Sequence, residues 1–196
     1  MTSARPASEG ADPEASVHTV AVIGAGSAGR DFAVRCAVAG YEVILEDVMP
    51  ARLRDAEQDF RTVAPRLAGG SLRLALTVED AVRTADLAID FVPDELESKL
   101  EIFCMIDRMA PPKTILVTPT DALSITDLAS CTYRPDRCFA LRGPLTGAAV
   151  VPITLIVPTC AAPAELAAAE RFLRRLGLNP ERQADSDAPL LRRNYL

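Results

Sequence analysis

The apolar residues of this 196-residue chain fall into short runs separated by longer stretches with helical spacing. The short runs predict eight strands, at residues 19–23, 41–45, 72–76, 87–91, 114–117, 137–141, 153–157 and 178–183. The stretches between them predict helices at residues 27–39, 50–64, 77–84, 94–110, 124–130 and 162–176. Because strands alternate with helices, the pattern predicts an α/β fold with a doubly wound, mainly parallel sheet in a single domain.

Polar and special residues mark the ends of several predicted helices. Thr77, with Asp80 three residues later, predicts an N-cap, and Ser124 with Asp127 predicts a second one. Gly177 directly follows the last predicted helix, where a glycine commonly ends a helix. These signals support the boundaries that the apolar pattern sets.

A glycine-rich loop directly follows the first predicted strand. Its G-x-G-x-x-G pattern consists of Gly24, Ala25, Gly26, Ser27, Ala28 and Gly29. The first glycine makes a tight turn, the second lets the backbone approach a pyrophosphate, and the third lets the helix pack closely on the strand. The pattern predicts a Rossmann-type dinucleotide site. A tight glycine turn in another kind of α/β protein and an FAD site are the alternatives.

An acidic residue, Asp47, ends the second predicted strand. It lies 23 positions after Gly24, close to the spacing of a carboxylate that binds the 2′-hydroxyl of a ribose. Such a carboxylate repels a 2′-phosphate, so the sequence favours NAD(H) over NADP(H). Ligands of such sheets bind at the carboxyl ends of the strands. Val92, Pro93 and Thr118, which follow or end the fourth and fifth strands, are therefore also predicted to contact the cofactor.

Composition narrows the classes of partner and site. The net charge of −6 argues against nucleic acid and against an anionic membrane surface as partners. No apolar run is long enough to cross a membrane, and no signal peptide is visible. The five cysteines are scattered without a C-x-x-C pair, which favours buried thiols in a reducing cytoplasm over disulfides or a metal site. We expect a disordered arm at residues 1–16, a dinucleotide-binding domain at 17–184 and a tail at 185–196.

Four motifs in order resemble the NAD-binding domain of the 3-hydroxyacyl-CoA dehydrogenase family. They read VAVIGAGSAG, ADLAIDFVPDELESKLEIF, LSITDLAS and RPDRCFAL. In that family a doubly wound sheet precedes a helical domain that dimerises, and a 3-hydroxyacyl-CoA is oxidised with NAD as hydride acceptor. The resemblance implies that Asp94 and Lys99 line the cofactor site, together with the glycine loop and Asp47.

The resemblance implies that this chain has different residues at the family's catalytic positions. By the resemblance, Asp121 replaces a serine that holds the substrate hydroxyl, and Pro119 replaces an asparagine. Arg142 replaces the general-base histidine, and Thr154 replaces the glutamate that orients it. An arginine does not accept a proton near neutral pH. We expect an ion pair between Asp121 and Arg142, the two candidate catalytic residues, in the place of the missing machinery.

The rest of the family architecture is also altered. Residues 50–70 are shorter than the family's helical arm, which makes coenzyme A binding doubtful. Residues 187–196 resemble the family's entry into the helical domain, with Asn194 matching a catalytic asparagine, and we expect the chain to lack that domain. Without it, the apolar segment 147–153 is expected to be exposed. An exposed apolar patch favours self-association or a partner chain.

Three hypotheses of function follow from these residues. The first is an NAD(H)-dependent oxidoreductase with a degenerate catalytic site, acting on a small hydroxy or keto substrate. The second is a non-catalytic NAD-binding subunit with a regulatory or interaction role. The third is a non-redox reaction, an elimination or a cyclisation, that uses Asp121 and Arg142.

Overall fold

The computed structural model describes residues 16–64, 69–147 and 151–185. Nearly all of the predicted N-terminal arm and C-terminal tail lie outside these ranges. Three of the residues in segment 147–153, namely 148–150, also lie outside them.

One sheet of eight strands forms the centre of the described part of the chain, in the order β3-β2-β1-β4-β5-β6-β7-β8. The strands are β1 Thr19–Ile23, β2 Glu42–Glu46, β3 Ser71–Ala75, β4 Leu87–Asp90, β5 Ile115–Pro119, β6 Cys138–Arg142, β7 Val151–Val157 and β8 Leu178–Ala184. All neighbouring strands are parallel except β6 and β7, which are antiparallel. The predicted fold class is confirmed.

Helices cover both faces of this sheet. They are α1 Ser27–Val38, α2 Pro50–Val63, α3 Val78–Val82, α4 Leu96–Met109, α5 Ile125–Ser130 and α6 Pro163–Arg175. One apolar layer contains Phe32 and Phe172 and lies against α1 and α6, and the other contains Phe103 and Leu128 and lies against α4 and α5. Both faces of the central strands are therefore buried, which explains their nearly continuous apolar sequence.

The order of the strands reverses direction next to β1. The chain proceeds from β1 to β2 and β3 on one side, and then crosses to β4 on the other side. In open α/β sheets, ligands bind in the crevice at such a switch point, outside the carboxyl ends of the strands. The glycine loop that follows β1 lies at this crevice.

Two predicted helix caps are present as expected. The Thr77 hydroxyl accepts a hydrogen bond from the Asp80 N–H at 3.2 Å, and the Ser124 hydroxyl accepts one from the Asp127 N–H at 3.2 Å. The start predicted for α4 at residue 94 is wrong by two residues. Glu95 is still extended, with φ −120° and ψ 139°, so the helix begins at Leu96.

The predicted exposure of segment 147–153 is wrong at its last residue. Ile153 is 2% exposed and belongs to the core, because β7 inserts between β6 and β8. Gly147 and Pro152 are exposed. Among the helices described, none is long and apolar enough to cross a membrane.

Candidate functional site

The glycine loop has the geometry that a bound pyrophosphate requires. Gly24 adopts φ +100°, a conformation that side chains disfavour. A Cβ on Gly29 would lie 1.9 Å from the Gly24 carbonyl oxygen, so only glycine allows this approach of α1. A Cβ on Gly26 would meet no protein atom within 4 Å, which leaves open space above the loop.

The N-terminus of α1 opens onto the same space. Gly26 is its N-cap, no side chain caps the helix, and its first turn holds no acidic residue. The partial positive charge at a helix N-terminus favours an anion there. The loop and helix therefore fit the pyrophosphate of a dinucleotide.

Asp47 connects the end of β2 to the glycine loop. Its carboxylate accepts hydrogen bonds from the Ala25 N–H at 2.9 Å and from the Met49 N–H at 2.8 Å. Arg52 donates to the same carboxylate at 3.3 Å. A carboxylate has about four acceptor positions. Asp47 thus retains capacity for a ribose hydroxyl, and that contact stays a prediction.

A cavity of about 420 Å³ lies beside the loop and Asp47. This volume falls in the range typical of small-molecule sites. Of the predicted cofactor residues, those that line it are Gly24, Gly26, Asp47, Val92 and Pro93. Those that do not line it are Ala25, Ser27, Ala28, Gly29, Asp94, Lys99 and Thr118. A larger cavity of about 820 Å³ is bordered by the second half of α1 and includes no residue of the glycine loop.

Glu46 also lines this cavity, and the sequence reasoning missed it. The side chain is 3% exposed, and burial together with the neighbouring charge of Asp47 raises the pKa of Glu46 to about 7. An acidic residue at the end of an otherwise apolar strand was the available signal. Asp47, the next residue, has the spacing expected of a ribose-binding carboxylate, so the sequence pattern assigns no role to Glu46.

Lys99 is buried beneath the site. Its ammonium donates to Asp90 at 2.8 Å and to the Pro119 carbonyl at 2.9 Å, and both charged side chains are almost inaccessible. Burial raises the pKa of Asp90, and the Lys99 charge acts in the opposite direction. The pair joins β4, β5 and α4 below the crevice. Cofactor contacts of Lys99 and of the buried Thr118 stay predictions.

The expected ion pair between Asp121 and Arg142 is not formed in the described structure. Asp121 is exposed, and its backbone N–H donates to the Asp94 carboxylate at 2.8 Å. Arg142 is half-buried, and its guanidinium donates to the Leu123 carbonyl at 3.5 Å. Its Nε is buried and has no hydrogen-bond partner among the described residues. The prediction is wrong because the Asp121 carboxylate stays in solvent while the arginine turns toward Leu123.

Arg142 and Thr154 are direct partners across the antiparallel β6–β7 pair. By the resemblance, these two positions are those of the general base and its orienting residue. The fold therefore places the two positions together, although neither residue is a base. The one histidine of the chain, His18, precedes β1 at the amino ends of the strands, on the side of the sheet opposite the crevice. Its Nε2 lies 2.7 Å from the Ser16 hydroxyl.

Comparison with known proteins identifies similar sequences and folds. The family model described as "3-hydroxyacyl-CoA dehydrogenase, NAD binding domain" matches residues 19–184. The 5-formyl-3-hydroxy-2-methylpyridine 4-carboxylate 5-dehydrogenase of Mesorhizobium japonicum is 29% identical over 174 residues, which cover 84% of this chain and 56% of that protein. A probable 3-hydroxybutyryl-CoA dehydrogenase of Bacillus subtilis is 33% identical over 138 residues, which cover 64% of this chain and 48% of that protein.

A solved structure shows the same fold. The crystal structure of a 5-formyl-3-hydroxy-2-methylpyridine 4-carboxylic acid 5-dehydrogenase, described as an NAD⁺-dependent dismutase, aligns with a TM-score of 0.76 at 26% identity. The alignment covers 87% of this chain and 59% of that one. The chain spans about half the length of the curated relatives it matches.

Proposed function

This chain belongs to the 3-hydroxyacyl-CoA dehydrogenase family through its NAD-binding domain, and from that premise we propose that it transfers hydride between NAD(H) and a small hydroxy or keto substrate. The observation that carries the proposal is the open space at Gly26, between the N-terminus of α1 and Asp47. A cytoplasmic location is part of the proposal.

The residues that fit NAD are those at the switch point. The backbone around Gly26 and the N-terminus of α1 would hold the pyrophosphate, and Asp47 would hold the adenosine ribose. NAD, when bound, supplies the hydride acceptor or donor. The protein's own contribution is to orient the cofactor at the carboxyl ends of β1 and β4.

Arg142 is the candidate group for the substrate. Its guanidinium is always charged, is half-buried, and has an Nε without a hydrogen-bond partner in the described part of the chain. In our proposal it binds an anionic or carbonyl oxygen and stabilises negative charge that develops there. The Mesorhizobium relative is named for a pyridine carboxylate, which supports a substrate class wider than coenzyme A thioesters.

The proton of the alcohol needs another acceptor. An imidazole base typically accelerates such a reaction by about 10²–10⁴-fold. The one histidine of the chain lies at the amino ends of the strands, away from the crevice. In our proposal the exposed Asp121 or a water molecule takes the proton. We therefore expect slow turnover.

A non-catalytic NAD-binding subunit is the second candidate. It is favoured by Arg142 and Thr154, which occupy the paired positions assigned to the base and its orienting residue. A non-redox reaction that uses Asp121 and Arg142 together has less support, because the two side chains form no ion pair or hydrogen bond with each other within the described ranges.

Calorimetric titration with NAD, followed by a screen of hydroxy acids and hydroxyacyl thioesters for NADH formation, tests the proposal. We expect micromolar NAD binding that Asp47→Ala abolishes. The control is Glu42→Ala, an exposed acid at the other end of β2. NAD binding with turnover that Arg142→Ala removes supports the oxidoreductase. Binding without turnover favours the subunit, and no binding overturns both.

A further inference from the structure

The carboxyl of Glu46 is buried and has no partner among the described residues. The side chain is 3% exposed, its Oε1 is fully buried, and neither oxygen forms a hydrogen bond or ion pair within the described ranges. The backbone carbonyl of Glu46, in contrast, accepts a hydrogen bond from the Gly24 N–H at 2.8 Å. Burying a charged carboxylate without a partner is costly. The side chain therefore either is neutral or serves a ligand.

The cavity that Glu46 lines has the position of an adenine site. With the pyrophosphate at Gly26 and the ribose at Asp47, the base extends into the space next to both. That space is lined by apolar side chains, among them Val48, Val78, Ile102 and Met105. Val48 is 78% exposed. A flat aromatic base would cover such a surface.

Few charged groups surround Glu46 in this cavity. Asp47 is its neighbour in the chain, Arg52 comes from α2, and Glu101 comes from α4. Arg52 is engaged with Asp47 at 3.3 Å rather than with Glu46. From α3, the residue that lines the cavity is Val78. In the sheet, Glu46 is paired with Ile23 of β1 on one side and with Ala75 of β3 on the other. Burial and the Asp47 charge together raise the pKa of Glu46 to about 7.

We propose that Glu46 is a specificity residue of the adenine subsite and binds the base in its neutral form, so that the chain takes up a proton when it binds NAD. The inference rests on the proposed function, because it requires NAD at this site. A neutral carboxyl has a donor beside an acceptor. An edge of adenine offers the complement, a ring nitrogen that accepts beside an amino group that donates. A charged carboxylate only accepts, and covering it with the base would desolvate it further.

The test is the pH dependence of NAD affinity, measured by calorimetry between pH 6 and pH 8.5 in buffers of different ionisation heat. Since one proton is linked to binding and the free carboxyl has a pKa of about 7, we expect the Kd for NAD to weaken by about thirtyfold over this range. Buffer dependence should report the uptake of up to about one proton at the alkaline end. ADP-ribose, which has the adenosine and the pyrophosphate but lacks the nicotinamide, should show the same dependence.

Three variants separate the roles of charge and hydrogen bonding. Glu46→Gln keeps a donor and an acceptor without a titratable proton, so it should bind NAD with a flat pH profile and more tightly than the wild type at pH 8.5. Glu46→Met should also show a flat pH profile, but it should bind NAD more weakly than the wild type at pH 6. His18→Gln, which changes the chain's one histidine, away from the crevice, should retain the wild-type profile.

Each outcome decides between the two proposals. NAD binding with a flat profile in the wild type, or an unchanged slope in Glu46→Gln, would overturn the role of Glu46 and leave the proposed function intact. Equal affinity of Glu46→Met and the wild type at pH 6 would overturn recognition of the base. Absence of NAD binding at every pH would overturn the proposed function and the inference with it.

Discussion

At the residue scale, Gly26 and Gly29 differ in what surrounds their α-carbons, although both belong to one loop. The position of Gly26 faces open space, whereas that of Gly29 faces the Gly24 carbonyl. Gly29 is thus needed for the fold, whereas Gly26 leaves the space in which we propose that the cofactor binds. The sequence motif alone does not separate these two requirements in a given protein.

Substitution by alanine should separate them. For Gly26→Ala we expect a free energy of unfolding within about 1 kcal/mol of the wild type, because the backbone at φ −63° suits alanine. NAD affinity should fall by at least about tenfold, since the methyl group occupies the place of the pyrophosphate. Gly29→Ala should lose roughly 1–3 kcal/mol of stability or more through its clash. Urea unfolding and calorimetry measure both quantities, and intact NAD binding by Gly26→Ala would contradict the assigned site.

Glu46 should also make the stability of the ligand-free chain depend on pH. Its pKa rises from 4.5 to about 7 on folding, so the folded state holds the proton more tightly than the unfolded state. The resulting stabilisation is complete below pH 4.5 and is lost as the pH rises to 7. Relative to Glu46→Gln, the wild type should lose about 2–3 kcal/mol between pH 5 and pH 8. A constant difference between the two unfolding curves would refute this.

Lys99 and Asp90 should be strongly coupled. Lys99→Met leaves a buried carboxylate without its cation, and we expect a loss of about 3–5 kcal/mol in the free energy of unfolding. Adding Asp90→Asn removes the stranded charge and should restore part of that loss. Chemical denaturation of the two single variants and the double variant tests the coupling. Simple additivity of the two losses would show that the pair contributes nothing.

At the element scale, the C-terminus of α4 is held by a residue from a distant segment. Arg134, which follows α5, donates to the carboxylate of Asp107 at 2.9 Å and to the carbonyls of Asp107, Ala110 and Pro111. The last carbonyls of a helix have no partner within the helix. This guanidinium therefore replaces the missing partners and fixes α4 against the connection to β6.

Arg134→Lys should destabilise the protein by about 2–4 kcal/mol, because a single ammonium group cannot reach the same set of acceptors. Arg61→Lys is the matched control. Arg61 pairs with Glu57 on the exposed side of α2 at 2.8 Å, and its substitution should cost less than about 1 kcal/mol. Thermal unfolding measures the loss of stability in Arg134→Lys and in the control variant. Similar effects of both changes would mean that the cap at α4 contributes little.

At the scale of the whole molecule, self-association or binding of a partner chain through segment 147–153 stays a prediction. The structure reduces the apolar area on which it rests, since Ile153 is buried. We expect light scattering to give the mass of at least two chains, decreasing on dilution. A mass of one chain at high protein concentration would argue against self-association and leave a different partner chain as the remaining possibility.

The sequence by itself determined the alternation of strands and helices, the caps at Thr77 and Ser124, and the glycine loop with Asp47. The elements and caps depend on residues within a few positions of one another, where periodicity, capping and backbone conformation are decided. Asp47 follows from its spacing of 23 positions after Gly24, within one strand–helix–strand unit. For Arg142 and Thr154 the resemblance assigned only the roles of a base and its orienting residue, and the β6–β7 register showed that the two positions are direct partners.

Only the tertiary structure decided which side chains meet at the crevice. It buried Lys99 against Asp90, turned Arg142 toward Leu123 instead of Asp121, and placed the carboxyl of Glu46 in the cavity with no partner from the residues that the structure describes. Such contacts depend on the rotamers and burial of groups brought together from separate strands. Their energies arise from desolvation, which no local pattern along the chain records.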